Sequence, residues 1–226
     1  MAPFLETVKS FDDVPITDAG VDTDAFVEAA DGVVRMLKEL TGLMSSVGSK
    51  AFSPVISDIQ GNNKKVRDRY LAAPLQSATL EQLVTNEKSN KVGSATEGLM
   101  WLLRSLAFTC KSLQHAQANP SEELKVAFTK GYDVSLGPIH RSGGFFSVQG
   151  AMMKAAGLMF NTAIGYCPPR KSFYEKLAAN PGGEPISQET LDKELNDWLT
   201  GLDTIISRMD GFYTKGKHGE ILKSAL

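Results

Sequence analysis

Within "SDIQGNNKKVRDRY", residues 57–70, an acid, an amide and an amine stand at Asp58, Asn62 and Lys65. On a helix, the spacing i, i+4, i+7 puts three side chains on one face. Asp58 and Lys65 then lie ~10 Å apart along the axis, too far for a good direct ion pair. Their heads line a shallow polar strip beside an apolar stripe of Phe52, Val55, Ile56, Ile59, Val66 and Tyr70. On spacing alone this is a solvated amphipathic face. Two further residues change what the strip could do. Trp101 interrupts the aliphatic run "EGLMWLLRSLAF"; it is either a core indole with a satisfied N–H or an exposed face able to stack on a sugar ring. His140, in "GYDVSLGPIHRSGG", is one of three histidines, a residue type more often structural than chemical when it stands alone. Asp58 and His140 could also form an acid–base pair in a lipid-acting enzyme. No nucleophile elbow, HExxH or phosphate-binding glycine loop accompanies them, and Ser142 near His140 lacks a strand–turn–helix setting.

Helical periodicity governs the elements that must carry these residues. Phe26, Ala29, Ala30, Val33, Leu37 and Leu40 mark a first long helix closing near Gly42. A second is expected to open at Ser53-Pro54, with the proline in its first turn, and to run to Ala72–Ala73. "SATLEQLVTNEK" forms a third, capped by Ser77 or Thr79. The fourth opens with Ser94-x-x-Glu97, a capping-box pattern, and is apolar on most sides, so it should lie centrally. Ser121 and Ser187 are expected caps for later helices, the second of them long. Glycines interrupt residues 139–168 and blur helix limits there. No run alternates like a strand and no repeat appears, so the expected fold is all-α, about eight helices in a single domain covering 1–226.

Composition narrows the function classes. With 24 basic and 26 acidic residues the net charge is −2, which argues against a general nucleic-acid binder. Cys110 and Cys167 show no metal-ligand spacing, so neither a zinc site nor a disulfide scaffold is expected, and no cofactor is implied. The N-terminus lacks a secretory pattern, and "GAMMKAAGLMF" is far shorter than the ~20 residues that span a bilayer. The expectation is a soluble cytoplasmic chain, with flexible residues 1–20 and at most peripheral membrane contact.

Four segments in order, "FSPVISDIQGNNKKVRDRY", "ATEGLMWLLRSLAFTCKSL", "GYDVSLGPIH" and "RKSFYEKLAA", resemble the glycolipid transfer protein family over about residues 24–180. The details "AFSPV", "SATEGL" and "FYEKLA" look closest to its fungal heterokaryon-incompatibility branch. The resemblance implies a two-layer, all-α sandwich enclosing an apolar cavity for one sphingolipid. It implies that Asp58 accepts hydrogen bonds from sugar hydroxyls, that Asn62 and Lys65 bond the first sugar, that Trp101 stacks beneath it and that His140 bonds the ceramide amide oxygen. Arg104 matches a basic position on the Trp101 helix, with structural support by charge pairing as its expected role. Phe145 and Phe146 are candidates for membrane contact, and Ile59 and Tyr213 for cavity lining. The implied function is non-enzymatic carriage of a neutral glycosphingolipid by a monomer that touches membranes transiently. The alternatives are a ceramide-1-phosphate carrier or a lipid sensor. An indole where a phosphate carrier needs cations favours the neutral sugar. "GLMFNTAIGYC", residues 157–167, has no clear counterpart in the family; it is a loop or helix extension near the lipid entrance, or a translated intron.

Overall fold

A computed structural model describes residues 2–90, 94–142 and 148–222. Among them nine α-helices form: α1 (Thr23–Gly42), α2 (Ser46–Ala72), α3 (Leu80–Asn90), α4 (Ala95–Ala118), α5 (Leu124–Val134), α6 (Leu136–Arg141), α7 (Val148–Ile164), α8 (Arg170–Ala178) and α9 (Gln188–Lys215). The all-α expectation holds. The described residues also include a two-residue-strand hairpin, β1 (Ile16–Thr17) with β2 (Gly20–Val21), too short for any alternation to register in the sequence.

The expected centrality of α4 is met: it packs against α1, α2, α3, α5, α6 and α9. Leu99, Leu102, Leu103, Leu106 and Ala107 are fully buried, as a helix apolar on most sides must be. Small residues set the closest crossings. A Cβ on Gly131 of α5 would stand 2.6 Å from the Ser112 backbone nitrogen of α4, so only glycine allows the two helices to meet there.

Three caps differ from expectation. Helix α2 is capped by Ser45, whose hydroxyl accepts from the Gly48 N–H, eight residues before Ser53. Pro54 therefore lies inside the helix, where its lack of an N–H removes one backbone bond. The Ser94–Glu97 capping box is not made: Ser94 provides no side-chain cap. Glu87 of α3 does the work instead, its carboxylate accepting from Thr96 N at 2.7 Å and Thr96 Oγ1 at 2.8 Å. A negative group there also suits the positive end of α4. Ser121 does not cap α5, which starts after Glu123. Ser187 caps α9 as expected, accepting from Thr190 N.

The N-terminal segment, expected to be flexible, is packed. Phe11 is 1% exposed and meets the Trp198 indole of α9 edge-on at 4.9 Å between centroids. Phe4, Leu5 and Val14 are buried beside it. The burial of four apolar side chains outweighs the entropy of a free tail. Of residues 157–167, those up to Ile164 belong to α7.

Candidate functional site

Helix α2 exposes its polar row along one edge of its apolar stripe, and that edge faces a cavity of about 390 Å³. Pro54, Val55, Asp58, Asn62 and Lys65 line it from α2; Glu97, Trp101 and Ser105 from α4; Leu136 and His140 from α6. Met153, Ala156, Met159 and Phe160 of α7 close the far wall. All five of Asp58, Asn62, Lys65, Trp101 and His140 thus meet at one place, across three helices. The polar groups gather on α2 and α4 while α7 supplies an apolar wall.

The polar row is internally bonded. Lys65 Nζ donates to Asn62 Oδ1 at 3.3 Å, and the Asn62 amide favours the charged form of the neighbouring Asp58 carboxyl. Crowding by the surrounding protein raises the Asp58 carboxyl above its ordinary pKa, opposed by the Asn62 hydrogen bond and the Lys65 ammonium. The close approach of α4 to this row depends on Gly98: a Cβ there would lie 2.9 Å from Lys65 Cδ and 3.4 Å from the Asn62 carbonyl oxygen.

Trp101 is half-buried, with the Arg104 guanidinium 4.6 Å from its ring centroid. Arg104 itself is buried and donates from Nη2 to the Glu220 carbonyl at 2.7 Å. Arg104 is held by a backbone carbonyl and by cation–π attraction to Trp101, and the negative charge of Glu220 favours its charged form. Asp210 holds the same chain segment in place, its carboxylate accepting from Ile221 N and Leu222 N at 3.1 Å each.

His140 is 5% exposed, and its Nδ1 lies 3.1 Å from the Tyr132 hydroxyl. Burial, reinforced by the positive charges of Arg104 and Arg141, lowers its pKa to about 4, so the ring is neutral at physiological pH. A neutral ring carries one N–H: in the tautomer in which Tyr132 donates to Nδ1, that proton sits on Nε2, a donor for a carbonyl oxygen. Phe160 packs against both rings, 5.7 Å from Tyr132 and 5.5 Å from His140.

The remaining expected residues fall elsewhere. Ile59 and Tyr213 are fully buried and are not among the described residues lining this cavity; Tyr213 bonds the Thr96 carbonyl from the far side of α4. Phe145 and Phe146 lie outside the described residues. Sequence reasoning missed Glu97, Tyr132 and the α7 wall. The positions 153, 156 and 160 are spaced as one helical face, but glycines at 150 and 157 hid the helix that carries them. No group of acidic, histidine or cysteine side chains suited to a metal occurs among the described residues.

A cavity among helices, polar on one side and apolar on the other, suits proteins that take up amphiphiles. The model of the glycolipid transfer protein family matches residues 21–179. A glycolipid transfer protein of Aureobasidium melanogenum is 39% identical over 210 residues, covering 92% of each chain. The crystal structure of HET-C2, a fungal glycolipid transfer protein, superposes with a TM-score of 0.74 at 36% identity, covering 93% of this chain and 96% of that one. Human ceramide-1-phosphate transfer protein, in complex with 12:0 ceramide-1-phosphate, shares the fold at a TM-score of 0.70 and 19% identity, over 96% and 98% of the two chains. This chain belongs to the glycolipid transfer protein family, a family of lipid carriers.

Proposed function

We propose that this chain binds one neutral glycosphingolipid and carries it between membranes. The observation that supports this most is the convergence of Asp58, Asn62, Lys65, Trp101 and His140 on a single cavity. In this reading the Asp58 carboxylate accepts from sugar hydroxyls while Asn62 and Lys65 bond the same ring. The indole offers its open face to the sugar while Arg104 backs the other. Nε2 of His140 donates to the ceramide amide oxygen, at the point where headgroup gives way to hydrocarbon.

The energetics divide the labour. Holding an acyl chain in water costs about 0.8 kcal/mol per CH₂, so a sixteen-carbon chain costs roughly 13 kcal/mol. Hydrogen bonds at about 0.5–1.5 kcal/mol each cannot supply that. Apolar walls carry the chain, and the polar row chooses the headgroup. The described lining holds Lys65 as its cation against the carboxylates of Asp58 and Glu97, a poor setting for a phosphate, which favours several arginines or lysines. The exposed apolar side chains Met152, Leu158 and Met159 of α7 lie on the helix that forms the apolar wall and supply apolar surface for transient membrane contact.

The test is transfer of fluorescent galactosylceramide, glucosylceramide and ceramide-1-phosphate between vesicles. The neutral glycolipids are expected to move, and Trp101→Ala to abolish that movement. Transfer of the phosphate lipid alone would overturn the headgroup assignment. Binding without transfer would make the protein a sensor, and chemical conversion of any of the lipids would make it an enzyme.

A further inference from the structure

Away from the headgroup cavity, two polar atoms of α9 are shut off from water without a partner. Trp198 is 2% exposed, and its indole N–H meets no acceptor among the described residues; Glu194 Oε2 likewise meets no donor. Four positions apart on α9, the two side chains share one helix face. Both line a separate cavity of about 250 Å³ between α9 and the N-terminal segment. Glu6, Asp12, Asp13 and Asp197 stand in that lining as well. Of these five carboxylates only Asp197 has a cationic partner among the described residues, Lys193 at 2.8 Å. Burial, then the charge of Glu6, raises the Glu194 carboxyl above its ordinary pKa. The walls are fixed in place: Phe11 meets the Trp198 ring edge-on, and a Cβ on Gly201 would lie 2.6 Å from the Phe11 carbonyl carbon.

We propose that this cavity is a docking site for an extended, lysine- or arginine-bearing segment of a partner protein. A buried donor and a buried acceptor left unmade each cost free energy. The site therefore calls for an occupant that accepts from an indole N–H and also donates to a carboxylate. A peptide main chain does both, through its C=O and its N–H. An ammonium or guanidinium on the same segment answers the unpaired carboxylates. A metal ion does not suit: it cannot accept from the indole, and no acidic group fit to hold one occurs among the described residues. A protonated polyamine supplies charge but no acceptor, and a nucleic acid or anionic bilayer is repelled. The headgroup cavity draws on α2, α4, α6 and α7, whereas this one draws on the N-terminal segment and α9. No residue is shared, so partner binding and lipid uptake do not compete for a side chain.

The experiment titrates the full chain with a capped peptide of alternating lysine and alanine, its counterpart with glutamate for lysine, and spermine. The readout is the pair of indole N–H signals in a proton–nitrogen correlation spectrum, one from Trp101 and one from Trp198. Trp101→Phe deletes one of them and so assigns both. The lysine peptide should shift the Trp198 signal downfield and leave that of Trp101 in place, and the glutamate peptide should shift neither. Spermine should leave the Trp198 proton where it was, having nothing to accept it. Glu194→Gln and Asp13→Asn should each weaken the lysine peptide about fivefold, the effect of one unit charge at contact distance in water. Glu28→Gln, at an exposed carboxylate on α1 outside the lining, should not. Asp13 is exposed, so its variant tests the site even where Glu194→Gln fails to fold. Added salt should lower the affinity, as screening requires. A Trp198 signal unmoved by the lysine peptide, an equal shift with spermine, or an equal loss in Glu28→Gln overturns the docking site. Galactosylceramide transfer should be unchanged in Asp13→Asn, so failure here is told apart from failure of the lipid reading.

Discussion

Trp101 owes its usefulness to what lies behind it. An indole half-open to a cavity is free to rotate unless something holds its other face. Here Arg104 does, pinned in turn by the Glu220 carbonyl. His140 is held by a neighbour in the same way, and its burial has a consequence in pH. The unfolded ring titrates near 6.5 and the folded ring near 4, so between those values the unfolded chain takes up a proton that the folded chain refuses. Stability therefore falls as pH drops from 6.5 towards 4 and levels off below, with a total loss on the order of 3 kcal/mol. Urea unfolding in steps from pH 7 to 4 should show this slope, and His140→Gln should flatten it. An unchanged slope in the variant would assign the acid sensitivity to other groups. Asp58, Asn62 and Lys65 were legible because their spacing put polar groups on one helix face. The Tyr132 partner of His140 was not, because that bond joins α5 to α6 across the break at Ser135, where no periodic pattern runs.

Helices α2 and α4 make the site by approaching closely at Gly98. Their existence and faces followed from apolar periodicity, and so did the burial of α4. Their starting points did not, because capping depended on partners far along the chain. Glu87 lies in a different helix from the N–H groups that it satisfies. Pro54 looked like a first-turn residue, yet Ser45 and the turns after it extend the helix upstream. α7 was the hardest to read, since a helix that is apolar on much of its surface and broken by glycines has no single periodic stripe. The α2–α4 contact gives its own expectation. Gly98→Val should displace the Lys65 stem now lying where a Cβ would be 2.9 Å away, and so remove the amine from Asn62. Glycolipid affinity should fall about three- to tenfold, the worth of one hydrogen bond, at a stability cost of about 1–3 kcal/mol from overpacking. Titration calorimetry and thermal melts read the two effects separately; full affinity in the variant would show that the contact serves packing alone.

Over the whole molecule, the family motifs marked the middle of the chain and left its two ends dark. The first twenty residues were expected to be flexible, yet Phe11 is buried against Trp198, and Gly201 of α9 passes so close that a Cβ there would lie 2.6 Å from the Phe11 carbonyl carbon. Phe11→Ala should therefore cost about 3–5 kcal/mol, as loss of a buried aromatic does, and a urea midpoint measures it. A change below about 1 kcal/mol would show the segment to be an ornament on an already complete core. The pairing also has a meaning in time. Residue 11 leaves the ribosome well before residue 198, and at about 5–20 residues per second the gap is roughly ten to forty seconds. Throughout that interval Phe11 has only half of its seat: Phe26 of α1 is made early, 6.3 Å away between ring centroids, while the Trp198 indole is not yet there. The newborn chain must keep its first apolar residues out of wrong company until its last long helix emerges to close the fold.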